Sequence, residues 1–91
     1  MCFNFPKSFA RSLKHLPPSD KVSIQRQVDI FMLAIDVRQI PSGFGLKKLR
    51  QDLWEFRTDL AYRVLFAWNK DTITFLFAGN HNEVRQFLKY Y

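Results

Sequence analysis

Ninety-one residues, 47% of them apolar with ten Phe and two Trp, suffice for one domain with a core and exclude a multidomain arrangement. Fourteen Lys and Arg against eight Asp and Glu leave a net charge of +6 and an isoelectric point near 9.8. That balance points to a polyanionic or acidic partner without separating RNA, DNA and an acidic peptide.

One cysteine, Cys2, excludes an intrachain disulfide and a Cys-rich zinc site. No basic segment leads into a long apolar run, and no stretch approaches the ~18 apolar residues of a membrane span. A cytoplasmic chain with neither signal peptide nor membrane contact is therefore expected.

Phe3-Asn4-Phe5 reads as a very short first strand, stopped by Pro6, which suits the first turn of a helix. Phe9, Leu13 and Leu16 recur at helical spacing through "KSFARSLKHL", with Lys7, Arg11, Lys14 and His15 on the other side. His15, set among lysines, is expected to be only solvated. Pro17-Pro18 closes this helix, and Ser19 or Asp20 can cap a second one from about Lys21 to about Arg38. Its apolar face carries Ile24, Val28, Phe31 and Ile35.

"IPSGFG", Ile40 to Gly45, is the one Gly-dense stretch and reads as a loop. Beyond it the period changes to 2. "LWEFR" (Leu53 to Arg57), "AYRVLFAW" (Ala61 to Trp68) and "TITFLFAG" (Thr72 to Gly79) are aromatic and β-branched strands. Short connections near Thr58-Asp59 and Asn69-Lys70-Asp71 fold them into a meander. Asn80 or Asn82 can cap a last short helix, "EVRQFLKYY". The expected architecture is α+β: one domain over residues 1–91, a helical hairpin on one face of a twisted antiparallel sheet of about four strands.

Alternation within strands puts Trp54, Phe56, Tyr62, Val64, Phe66 and Trp68 on one face, and Glu55, Arg57 and Arg63 on the other. If the helices cover the aromatic face, the charged trio lies together on the uncovered side. An ordinary cross-strand ion pair accounts for such charges. A phosphate cradle does so equally, since each guanidinium forks onto two phosphate oxygens, and "GLKKLR" adds Lys47, Lys48 and Arg50 nearby. The stripe Phe66, Trp68, Phe75 and Phe77 reads as core. Tyr90-Tyr91 reads as packing, or as a platform for a base.

His81 follows the last strand in "AGNHNEV", where a strand end meets a helix start and Gly79 permits close approach. An imidazole there can donate a proton near neutral pH, or simply cap. The two histidines lack the spacing and carboxylate companions of a metal site, so no metal or other cofactor is expected.

Three segments, in order, resemble the RelE/ParE toxin superfamily and together span nearly the whole chain. They are "SFARSLKHLP", "GFGLKKLRQDLWEFRTDLAYRVLF" and "ITFLFAGNHNEV", the second carrying Lys-Lys-Leu, Leu-Trp-x-x-Arg and Tyr-Arg-Val-Leu-Phe. The resemblance implies a type II toxin that cuts messenger RNA at the 16S rRNA-lined ribosomal A site and is neutralised by a cognate antitoxin. The implied chemistry is attack of a ribose 2′-hydroxyl on the adjacent phosphate without a metal.

It implies that Arg63 binds the scissile phosphate, with Arg57 beside it and Lys47 and Lys48 as basic positions. His81 resembles the general acid of some members, and Glu55 is either a base or a holder of Arg63. Lys47, Lys48, Arg50 and Arg85 are the RNA-binding positions. The two strand lysines of RelE-type members are replaced by Leu53 and Glu55, so their acid–base scheme does not carry over. Arg85 stands where many relatives have an aromatic. The same superfamily leaves open a ParE-like gyrase inhibitor, and a decayed toxin kept to bind antitoxin.

Overall fold

The structure, a computed structural model, describes residues 1–40, 42–58 and 61–91. In chain order it contains β1 (Cys2–Asn4), α1 (Lys7–Leu13), α2 (Pro18–Asp36), a single 3-10 turn (Ser42–Phe44), β2 (Lys47–Arg50), β3 (Leu53–Arg57), β4 (Arg63–Asn69), β5 (Thr72–Gly79) and α3 (His81–Lys89). The sheet has five strands in the order β1-β5-β4-β3-β2. Only the β1–β5 pair is parallel, and the β2 to β5 ladders are antiparallel.

The α+β expectation holds, with one strand more than foreseen. "KKLR" forms β2, an edge strand whose charges hid it from a search for apolar alternation. Edge strands tolerate such charge because one side of the ladder faces water. The first helix ends at Leu13, sooner than expected, and the second begins at Pro18, sooner than Lys21. Proline fits a first helical position because its missing N–H has no intrahelical acceptor there. Neither Ser19 nor Asp20 serves as the cap, since that position falls to Pro17, which offers no side-chain hydrogen bond. Thr58 N donates to Tyr62 O at 2.9 Å across the β3–β4 connection, whose residues 59 and 60 lie outside the described residues. Pro41 of the expected loop does too.

Helices α1 and α2 supply the apolar side that covers the Trp54/Phe56 face, as the alternation requires. Phe31 of α2 is fully buried and meets Phe56 at 4.7 Å and Phe66 at 5.0 Å between ring centroids. Phe44, from the loop, closes over them, edge-on to Phe56 at 5.3 Å.

One aromatic departs from the expected stripe. Leu65 pairs with Phe77 and Phe66 with Phe75, so Leu76 is an extra residue and the register shifts. Such a bulge turns the following side chains to the opposite face. Phe75 stays in the core, whereas Phe77 stacks on Phe87 of α3 at 4.7 Å. Two serines of α1 secure the bulge. Ser8 Oγ donates to the Leu76 carbonyl at 3.0 Å, and Ser12 Oγ accepts from Ala78 N at 3.0 Å.

The second sheet face is thus not bare. Helix α3 lies across part of it, Leu53 and Leu65 are buried there, and Arg50 Nη2 donates to Leu88 O at 3.0 Å. What stays open is the end of the sheet where β3 finishes and β4 begins. No described helix is long and apolar enough to cross a membrane.

Candidate functional site: a two-arginine cleft at the sheet end

Arg57 closes β3 and Arg63 opens β4, and the antiparallel register sets them directly opposite. Like charges on one rung repel. An acid two rungs along, on the same face, offsets this. Arg63 Nη1 donates to Glu55 Oε2 at 2.7 Å, and the two side chains are 25% and 6% exposed. One guanidinium is therefore locked to a buried carboxylate, while Arg57 remains exposed.

Arg57 is held from the other side. Gly45 has φ +61°, and a Cβ built there would stand 2.7 Å from Arg57 Nε and 3.0 Å from its Nη2. The guanidinium therefore lies against bare backbone. Sequence reading marked this glycine only as part of a loop; its positive φ and its contact depend on where the chain returns.

His81 is the first residue of α3, so it stands in a helix and not merely at its rim. Asn80 and Glu83 form a reciprocal capping box, with Glu83 N to Asn80 Oδ1 at 2.8 Å and Asn80 N to Glu83 Oε1 at 2.9 Å. The Asn-x-x-Glu spacing was its visible signal. Glu83 also meets His15 Nε2 at 2.9 Å through Oε2. His15 is therefore a brace between the end of α1 and the start of α3, which corrects its reading as a merely solvated residue. Hydrogen bonding from the Asn80 amide, then from His15, holds the Glu83 carboxyl below its ordinary value of 4.5. On the helix side, Tyr62 OH donates to Asp20 Oδ2 at 2.8 Å, which pushes the phenol above its ordinary value of 10.0.

These elements enclose a cleft of about 380 Å³ lined by Gly43, Arg57, Thr58, Ala61, Arg63 and His81. Its polar lining includes two guanidiniums and an imidazole, with the α3 N-terminus adding partial positive charge. Such a site suits a phosphate. Another cavity, about 460 Å³, is formed by Ile35, Ile40 and Trp68 beside Arg38, Lys70 and Asp71. It lies at the opposite end of β4 and brings no imidazole.

The remaining basic positions divide. Lys47 pairs with Glu55 and shares the cleft face, whereas Lys48 pairs with Trp54 and belongs to the opposite face. Arg50 sits beyond a register break, opposite Leu53, engaged with α3. So Lys48 and Arg50 do not join the cluster in which the sequence grouped them. Arg85 is exposed on the flank of α3. Among the described residues no group of three or more His, Cys, Asp or Glu is placed to hold a metal ion.

The fold is shared with known toxins. The toxin–antitoxin complex RelB–RelE from Methanococcus jannaschii contains a chain with TM-score 0.68 and 20% identity, over 92% of this chain and 96% of that one. YafQ from Escherichia coli gives 0.69 at 8% identity, over 90% and 94%. A copper-bound mutant toxin from Helicobacter pylori gives 0.65 at 17% identity, over 92% and 98%. The sequence matches no protein-family model and no curated protein.

Proposed function

We propose that the chain is the toxin of a toxin–antitoxin pair, an endoribonuclease that cuts messenger RNA in the ribosomal A site. The observation that carries this reading is the opposed pair Arg57 and Arg63 sharing one cleft with His81. The fold shared with a toxin solved beside its antitoxin supports the toxin role and a protein partner of that kind.

In the proposed reaction the 2′-oxygen of one nucleotide attacks the adjacent phosphorus, and the bond from phosphorus to the 5′-oxygen breaks. The products are a 2′,3′-cyclic phosphate and a 5′-hydroxyl. Charge builds on the non-bridging oxygens, where Arg57 and Arg63 meet it with preorganised donors. His81 gives its proton to the departing 5′-oxygen. The 2′-hydroxyl proton passes to water or to a phosphate oxygen. Glu55, bonded to Arg63 and enclosed, aims that guanidinium and takes no proton from substrate.

Transcript ends are to be mapped after induction of wild type, Arg63→Ala and His81→Ala. Cuts inside translated messages that vanish in both folded variants are expected. Intact messages accompanied by DNA-damage signalling would replace this reading with gyrase inhibition. Intact messages without damage signalling, from a chain that still binds antitoxin, would make it a decayed toxin.

A further inference from the structure

Beyond His81, helix α3 carries further cations. Helix α3 returns over the sheet with Val84 buried and with Phe87 and Leu88 half-buried against it. His81, Arg85 and Lys89 follow one another at four-residue intervals and are all exposed. A step of four residues advances about 6 Å and stays on one flank of the helix. Asn82 and Gln86 stand beside them, and Asn82, Arg85, Gln86 and Lys89 border a groove of about 460 Å³.

The acid of this helix, Glu83, is turned away into its bonds with Asn80 and His15. The flank therefore carries cations and amides without a carboxylate. Lys89 can answer the helix's own terminal carbonyls. Arg85, in the middle of the helix, has no such role. Past Lys89, Tyr90 is 78% exposed, and Lys89 Nζ stands over one face of its ring, 5.8 Å from the centroid. Cations at regular steps, ending at an exposed aromatic side chain, make up the pattern that follows a single strand.

We propose that the flank of α3 is a second RNA site: Arg85 and Lys89 take the backbone phosphates next to the one held by Arg57 and Arg63, and Tyr90 receives a base. The interval between the cations is comparable with that between neighbouring phosphates of an extended strand. This inference rests on the nuclease reading and adds to it the path of the strand. It moves the basic contacts from Lys48, on the opposite sheet face, and Arg50, tied to the Leu88 carbonyl, to the exposed cations of α3. The RNA is the strand being cut.

The test uses the full chain, a short oligoribonucleotide with 2′-O-methyl sugars, which cannot be cut, and vacant ribosomes. Affinity for each is measured across a salt series for wild type, Arg63→Ala, Tyr90→Ala, Arg85→Gln/Lys89→Gln and Arg85→Glu/Lys89→Glu. The altered side chains of the stripe are exposed, and circular dichroism checks that the fold persists. Loss of two phosphate contacts lowers the slope of log K against log salt by about 1.4 on a single strand, at about 0.7 each.

A lower slope on the oligonucleotide for the Gln pair, further weakening for the Glu pair and weaker binding for Tyr90→Ala put the cut strand on the stripe. The same losses on ribosomes alone overturn this path and leave the stripe a contact to ribosomal RNA. If Arg63→Ala weakens binding while both stripe pairs match wild type, the stripe is overturned and the nuclease reading stands. If wild type binds neither RNA, the nuclease reading itself falls.

Discussion

Glu55 accepts a 2.7 Å hydrogen bond from Arg63, its side chain only 6% exposed, while two rungs along the same face Arg63 stands against Arg57. A carboxylate so enclosed and so bonded suits the positioning role proposed for it. Its negative charge offsets the two-arginine rung and ties one of the guanidiniums in place.

Glu55→Gln therefore keeps the shape and removes the charge. Cleavage is expected to fall by up to about 10²-fold, the scale of a misplaced catalytic group. Stability should fall by about 1–2 kcal/mol, since a charge-assisted bond is lost from a partly exposed arginine. The pH–rate profile separates the roles. A positioning residue leaves its acid limb in place, whereas disappearance of that limb would make Glu55 the base.

Much of this site was legible before the fold was known. Period-2 alternation alone put Glu55, Arg57 and Arg63 on one side, and the register agrees. Alternation failed where the backbone broke it. The break between Lys48 and Arg50 separates two residues that sequence had grouped, and the extra Leu76 sends Phe77 away from the core. Neither bulge leaves a residue signature, because Leu49 and Leu76 are ordinary strand residues. Tertiary contacts were equally hidden, such as His15 on Glu83 at 2.9 Å, which joins residues far apart in the chain.

Arg63 and Arg57 differ in how they are held, and substitution should expose that difference. Arg63→Ala removes a fixed donor from the phosphate and is expected to lower cleavage about 10²–10³-fold. Arg63→Lys should recover little, because an ammonium cannot bond Glu55 and a phosphate with the same planar fork. Single-turnover cleavage of ribosome-bound message by the two variants is the measurement. Near-wild-type activity in Arg63→Lys would reduce the site to simple positive charge.

Gly45 is expected to matter through Arg57. A methyl group there meets Arg57 Nε at 2.7 Å, so the guanidinium must move, and the φ of +61° adds strain of about 1 kcal/mol. Gly43 borders the same cleft, yet a Cβ there meets nothing within 4 Å. Gly45→Ala should reproduce most of the cleavage defect of Arg57→Ala, and Gly43→Ala should stay close to wild type. Melting curves for both variants separate displacement from unfolding. Equal activity in the two alanine variants, both folded, would detach Gly45 from the site.

The brace at the start of α3 sets an acid limit on the fold. Glu83 binds the Asn80 amide and His15, so its carboxyl gives up a proton more readily folded than unfolded. Its stabilising effect is therefore complete above the ordinary value of 4.5 and is lost as pH falls through the lowered folded value. Denaturant unfolding of wild type and Glu83→Gln across this range should show an advantage for wild type near neutrality that closes on acidification. His15→Ala should keep the larger part of it, because the Asn80 amide is the stronger of the two influences. An advantage that persists undiminished well below pH 4.5 would mean that Glu83 holds α3 by packing over Gly79, where it already stands within 3.0 Å of a Cβ position. The same substitution weakens the charged hold on the helix end that carries His81. Cleavage should then lose more than stability does, since a fraying first turn moves the imidazole before it unfolds the chain.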